Sequence, residues 1–122
     1  MINVLVVDDS RVIRKLILNI LNDEDFHCIE AENGIDALEK LVIKNVDLII
    51  TDLNMPQMSG LELVKTIRSS EVYNKIPIII LTTEKNRQEQ ENCLDAGVNI
   101  YLIKPLSPEE LEANINNLLR KY

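Results

Sequence analysis

The stretch "VLVVDDSR", Val4–Arg11, decides the fold. Apolar residues with no charge among them run straight into two adjacent aspartates, Asp8 and Asp9. A strand with one wet face alternates apolar and polar residues, whereas an unbroken Val/Leu run suits a strand covered on both faces. A buried strand that ends in two like charges must deliver them to somewhere that wants them.

Working outward, the run begins at Ile2, and further runs follow at Phe26–Ala31, Asp47–Thr51, Ile76–Thr83 and Asn99–Lys104. The second carries His27 and Glu30 and reads as an edge strand. Between the runs lie apolar stripes at helical spacing. They are Val12/Ile13/Leu16/Ile17/Ile20/Leu21, then Ile35/Leu38/Leu41/Val42, then Leu61/Leu63/Val64/Ile67, and last Leu111/Ile115/Leu118/Leu119. The segment "NRQEQENCLDAG" is the weakest helix, polar until Cys93. Ser59–Glu62 and Ser107–Glu110 fit capping boxes, the second with Pro108 at the first helical position. Asn33 can cap a helix with Asp36 three residues on, and Gly97 stands where a helix C-cap belongs. Strand then helix, repeated along the chain, predicts an α/β protein with a parallel sheet covered by helices on both faces.

Composition narrows the functions. The 122 residues suit one domain, and 46% hydrophobic against 27% charged is a globular balance. Thirteen basic residues against twenty acidic ones give a net charge of −7, which disfavours coating nucleic acid and suits holding a cation. Cys28 and Cys93 show no metal-ligand spacing and read as reduced, packed thiols. His27 is the only histidine, so no histidine-based metal cluster can form. The start "MINVLVVDD" lacks a basic n-region, and no apolar run approaches the ~18 residues of a membrane span. A cytoplasmic protein without membrane contact is expected.

In an open α/β sheet, ligands bind beyond the carboxyl ends of the strands. Asp8 and Asp9 end the first strand, Asp52 the third, Thr82 and Thr83 the fourth, and Lys104 the fifth. Three carboxylates at one edge repel, on the order of 4 kcal/mol per pair at ~4 Å and an effective dielectric near 20. A raised pKa or a cation relieves this. Oxygen donors without His or Cys suit Mg²⁺ shared with a phosphate. With Lys104 as a point charge and Thr82 as a hydroxyl donor, the set predicts a phosphoryl-transfer site with an aspartate nucleophile.

The motifs "VLVVDDS", "LIITDLNMPQMSGLEL", "PIIILTTE" and "YLIKPL", in that order, resemble the receiver domain of two-component response regulators over essentially the whole chain. The resemblance implies a flavodoxin-like, doubly wound, five-stranded parallel sheet of order 2-1-3-4-5 with five helices, as one receiver domain over residues 1–122. It implies Asp52 as phosphoacceptor, supplied by phosphohistidine on a sensor histidine kinase or a histidine phosphotransfer protein, or by small phosphodonors. It makes Asp9 a direct Mg²⁺ ligand, Asp8 one acting through water, and the Asn54 backbone carbonyl a third. Lys104 would contact the phosphoryl group, next to a Lys104–Pro105 bond commonly cis in the family. Thr82 and Tyr101 are similar to the family's switch pair, controlling a partner face on the fourth helix, fifth strand and fifth helix. Asn54 and Glu84 would influence how fast the phosphoryl group is lost, and both match the chemotaxis type. Thr83 replaces a residue that is commonly small. Such a domain is a phosphoacceptor rather than an enzyme in the ordinary sense. Two organisations stay open: a stand-alone switch, or a receiver excised from a regulator with a DNA-binding or enzymatic output domain. An enzyme on the same fold is disfavoured, because Gly34, Gly60 and Gly97 are too scattered for a P-loop or GxGxxG pattern.

Overall fold

The computed structural model describes residues 1–119. Five strands alternate with five helices: β1 (Ile2–Val7), α1 (Arg11–Ile20), β2 (Phe26–Ala31), α2 (Gly34–Ile43), β3 (Leu48–Thr51), α3 (Gly60–Arg68), β4 (Ile78–Thr82), α4 (Arg87–Ala96), β5 (Ile100–Ile103) and α5 (Pro108–Leu119). All strand pairs are parallel, and the sheet order is β2-β1-β3-β4-β5. β3, β4 and β5 are each shorter than their apolar runs.

Parity along the strands explains the unbroken apolar runs. Side chains alternate between the two faces of a sheet. Leu5 and Val7 of β1, Ile49 of β3, and Ile78 and Ile80 of β4 enter one core with Ala37, Leu41, Leu63, Val64, Ile67 and Cys93 from α2, α3 and α4. Val4, Val6, Leu48, Ile50, Ile79 and Leu81 enter the other, against Ile17, Leu21, Leu111 and Ile115 from α1 and α5. Both faces are dry, so both parities must be apolar.

The helices bury narrower strips than their apolar stripes. On α1, Ile17 is buried, with Leu21 at its C-cap, while Val12 and Leu16 on the flank stay 74% and 45% exposed. On α2 the inward line is Gly34, Ala37 and Leu41, and Ile35 and Val42 face water. Small residues let the helix approach the sheet closely, which a stripe of large apolar residues does not reveal. α4 buries only Cys93.

The caps form as read, except that Ser107–Glu110 makes only the Ser107 half of its capping box. Ser59 and Glu62 make a reciprocal capping box, Asn33 accepts the Asp36 N–H at 2.8 Å, and Ser107 accepts the Glu110 N–H at 3.2 Å. Gly97 closes α4 with a φ of 114°, a region that disfavours any side chain. Arg68, half-buried at the end of α3, donates to the carbonyls of Asn74, Ile76 and Gly97 and to the Asn99 side chain. One guanidinium thus ties α3 to the entries of β4 and β5. Among the described residues, no helix is long and apolar enough to cross a membrane.

Candidate functional site

The sheet itself delivers the acids. The ladder runs one residue past each strand: Asp8 N–H donates to the Ala31 carbonyl at 3.1 Å, and Asp52 N–H to the Val7 carbonyl at 3.0 Å. Lys104 N–H donates to the Thr82 carbonyl at 2.7 Å. By parity Asp8, Asp52 and Lys104 continue the α1/α5 face, and their side chains meet there. Lys104 Nζ lies 3.2 Å from Asp8 Oδ2 and 3.4 Å from Asp52 Oδ2. The Lys104–Pro105 bond is cis.

The carboxylates differ in how tightly they are held. Asp8 is 2% exposed, and its other oxygen accepts the Ser10 N–H at 2.8 Å. Burial pushes its pKa above the usual carboxylate range, with Asp52 adding to the rise and Ser10 and Lys104 opposing it. Asp52 Oδ1 accepts the Leu53 N–H at 2.7 Å. Ser10, not Asp9, caps α1, its hydroxyl accepting from Ile13 N–H. That leaves Asp9 exposed, and among the described residues its carboxylate has no hydrogen-bond or ionic partner. Single oxygens of Asp8, Asp9 and Asp52 all lie within 4.8 Å of one another, close enough to share one metal ion. Asn54 is exposed just beyond Asp52, its carbonyl free of hydrogen bonds among the described residues.

Thr82 and Tyr101 reach the same region from the other face. The Thr82 hydroxyl is fully buried and accepts the Glu84 N–H at 3.2 Å. Tyr101 is half-buried against the α2–α4 core, and its hydroxyl donates to the Glu84 carbonyl at 3.0 Å. Burial is the main reason its phenol is pushed up to about 12, with Cys93, Glu84, Glu89 and Asp52 adding to it. The two residues therefore hold opposite sides of Glu84, by its N–H and its C=O. Thr83 is exposed.

A family model described as the response regulator receiver domain matches residues 4–116. The chain belongs to this family. The receiver domain is 44% identical over 117 residues to chemotaxis protein CheY1 of Helicobacter pylori, covering 94% of each chain. It is 44% identical over 120 residues to the chemotaxis protein CheY homolog of Campylobacter jejuni, covering 94% of this chain and 90% of that one. Among solved structures, Vibrio cholerae chemotaxis protein CheY4 superposes with a TM-score of 0.89 at 37% identity, over 96% of this chain and 98% of that one. A putative response regulator from Chloroflexus aurantiacus gives 0.91 at 28% identity, over 98% of both.

Two features of this receiver site escaped the sequence. Arg14, one turn beyond the Ser10 cap, donates to the Asp8 carbonyl at 2.7 Å and to Glu30 at 2.9 Å. A basic residue within the apolar face of the helix after the acid pair was the available signal. Gly60 begins α3 against the Asp52 backbone, a contact visible only in three dimensions.

Glu30, at the end of β2, also takes Lys15 at 2.9 Å. Lys15 and then Arg14 hold its carboxyl below the usual range. A lowered folded pKa gives stability above the ordinary value near 4.5, lost as pH falls through the folded value. Glu30→Gln is therefore expected to lower stability at pH 7 by under about 1 kcal/mol, since water screens the pair. The deficit should fade as the pH drops below 4.5, read as urea midpoints of both proteins.

Proposed function

We propose that this receiver domain is phosphorylated on Asp52 and works as a chemotaxis-type switch over residues 1–122. The observation that carries the reading is the cluster of Asp8, Asp9 and Asp52, with Lys104 bridging Asp8 and Asp52. The donor set is all oxygen, with one carboxylate exposed and unpartnered, which fits a hard cation such as Mg²⁺. Asp9 would be its direct ligand, Asp8 one acting through water, and Asp52 and the Asn54 carbonyl the others. When bound, Mg²⁺ supplies positive charge for the phosphoryl oxygens.

Asp52 attacks phosphorus through a carboxylate oxygen. The new bond is P–O, the bond that breaks joins phosphorus to the donor's imidazole nitrogen, and the imidazole leaves neutral, its ring taking one proton from water. The donor is a sensor histidine kinase or a histidine phosphotransfer protein. Lys104 is already within reach of Asp52 and holds the transferred group as a point charge. Thr82 exchanges its contact with Glu84 for a phosphoryl oxygen. Because Tyr101 donates to the carbonyl of the same residue, Glu84, whose N–H Thr82 releases, that exchange bears on what the ring is tied to. The downstream protein is read on the face of α4, β5 and α5. Asn54 and Glu84 bear on phosphoryl lifetime. With net charge −7, no direct nucleic-acid contact is assigned, and the cytoplasm is the proposed compartment. The CheY relatives, 44% identical to this chain, support the chemotaxis-type reading.

Intact mass after incubation with Mg²⁺ and acetyl phosphate tests the proposal, and one phosphoryl adduct is expected. A second measurement tests the metal. Buried Asp8 and its repulsion with Asp52 are relieved by a cation, so Mg²⁺ at ten times its Kd should add about 1.4 kcal/mol of stability and raise the Tm by several degrees. No shift at millimolar Mg²⁺ would count against a cation site.

A further inference from the structure

Arg14 is 13% exposed in its side chain and divides its donors between two acceptors. Nη1 reaches the Asp8 carbonyl at 2.7 Å, and Nε reaches Glu30 Oε1 at 2.9 Å. Glu30 is in turn fixed by Lys15 on its other carboxylate oxygen, and by Lys40 Nζ on its backbone carbonyl at 3.1 Å. The carbonyl that Arg14 grips belongs to the Asp8–Asp9 peptide. A peptide is planar, so aiming its C=O also aims the Asp9 N–H and sets where the Asp9 Cα stands. The Asp9 carboxylate has no partner of its own among the described residues. Its position therefore depends on the backbone, which Arg14 holds at the Asp8 carbonyl while the Asp8 side chain holds the Ser10 N–H.

Charge and geometry make opposite demands here. A guanidinium beside a dication repels it, so Arg14 acting through charge alone would weaken cation binding. Partners that orient ligand groups strengthen binding instead. We infer that Arg14, anchored by Glu30, is a positioning residue for the cation site, holding the Asp8–Asp9 peptide so that Asp9 faces the metal. This rests on the Mg²⁺ reading above.

The test is calorimetric titration of Mg²⁺ alone into the wild-type chain, Arg14→Met and Arg14→Lys, well below the Tm of each. There a loss of stability by itself leaves the affinity of the folded protein unchanged. Arg14→Met keeps the unbranched stem out to about the position of Nε and removes both donors. Its Kd is expected to rise by about 10-fold, although losing the positive charge would by itself lower it. Arg14→Lys keeps the charge but reaches only one acceptor, so its Kd should fall between the two and serves as the test if the Met variant does not fold. An unchanged or lower Kd in Arg14→Met, or a wild-type Kd in Arg14→Lys, would overturn the inference. No Mg²⁺ binding by the wild-type chain would overturn the metal reading, and this inference with it.

Discussion

Asp52→Asn is expected to abolish the phosphoryl adduct that the wild-type chain forms with acetyl phosphate and Mg²⁺. Asn is nearly isosteric, and its carbonyl oxygen can still accept the Leu53 N–H that Asp52 accepts at 2.7 Å. The fold should therefore survive, with an unchanged far-UV spectrum. What disappears is the chemistry. The amide oxygen lacks the carboxylate's negative charge, so it is a poor nucleophile toward phosphorus. The pairing with Lys104 Nζ at 3.4 Å loses its charge, and the metal cluster falls from three carboxylates to two. An adduct of undiminished yield would move the phosphoacceptor to another residue. Asp9, exposed and unpartnered among the described residues, would be the next to examine.

Gly60→Ala should destabilise the domain by about 3 kcal/mol, read as the shift in urea midpoint at constant m-value. Helix propensity alone gives the opposite sign, because Ala is favoured over Gly in a helix by about 1 kcal/mol. Sterics reverse it. A Cβ at position 60 would overlap the Asp52 carbonyl oxygen and come within 2.9 Å of Leu53 Cα. Both are backbone atoms of the strand end, and neither can rotate away. The Gly60 N–H also donates to the Leu53 carbonyl at 2.7 Å, pinning the helix start against that strand end. Any relief must move α3 or Asp52, so the adduct should form more slowly as well. A variant as stable as wild type would show that α3 can slide without cost.

Much of this was legible in the residues. The strands show as runs of Val, Leu and Ile because both sheet faces are dry, and the helix starts at Asn33, Ser59 and Ser107 are local chemistry. Asp8, Asp9, Asp52, Thr82 and Lys104 were legible for a similar reason, since each stands at or just past the carboxyl end of a strand, whereas Tyr101 and Asn54 came only from the family resemblance. The apolar stripes over-read burial at Val12, Leu16, Ile35 and Val42, which packing leaves in water. Periodicity reports which residues share a helix face, but not how wide a strip the sheet covers.

By itself, then, the sequence determined the alternation of strand and helix and the chemistry available at the strand ends. Those are properties of single segments. Tertiary structure decided which ends become neighbours. The order β2-β1-β3-β4-β5 sets β1 beside β3, and the register carries Lys104 between Asp8 and Asp52. It also decided that Ser10 rather than Asp9 caps α1, that Thr82 and Tyr101 share Glu84, and that Arg14 reaches back to the acid pair. These contacts join segments far apart in the chain or depend on the loop's final path, so no local propensity encodes them. The packing of helices on both sheet faces fixes them, and Lys104, held between Asp8 and Asp52, offsets part of the repulsion among the acids.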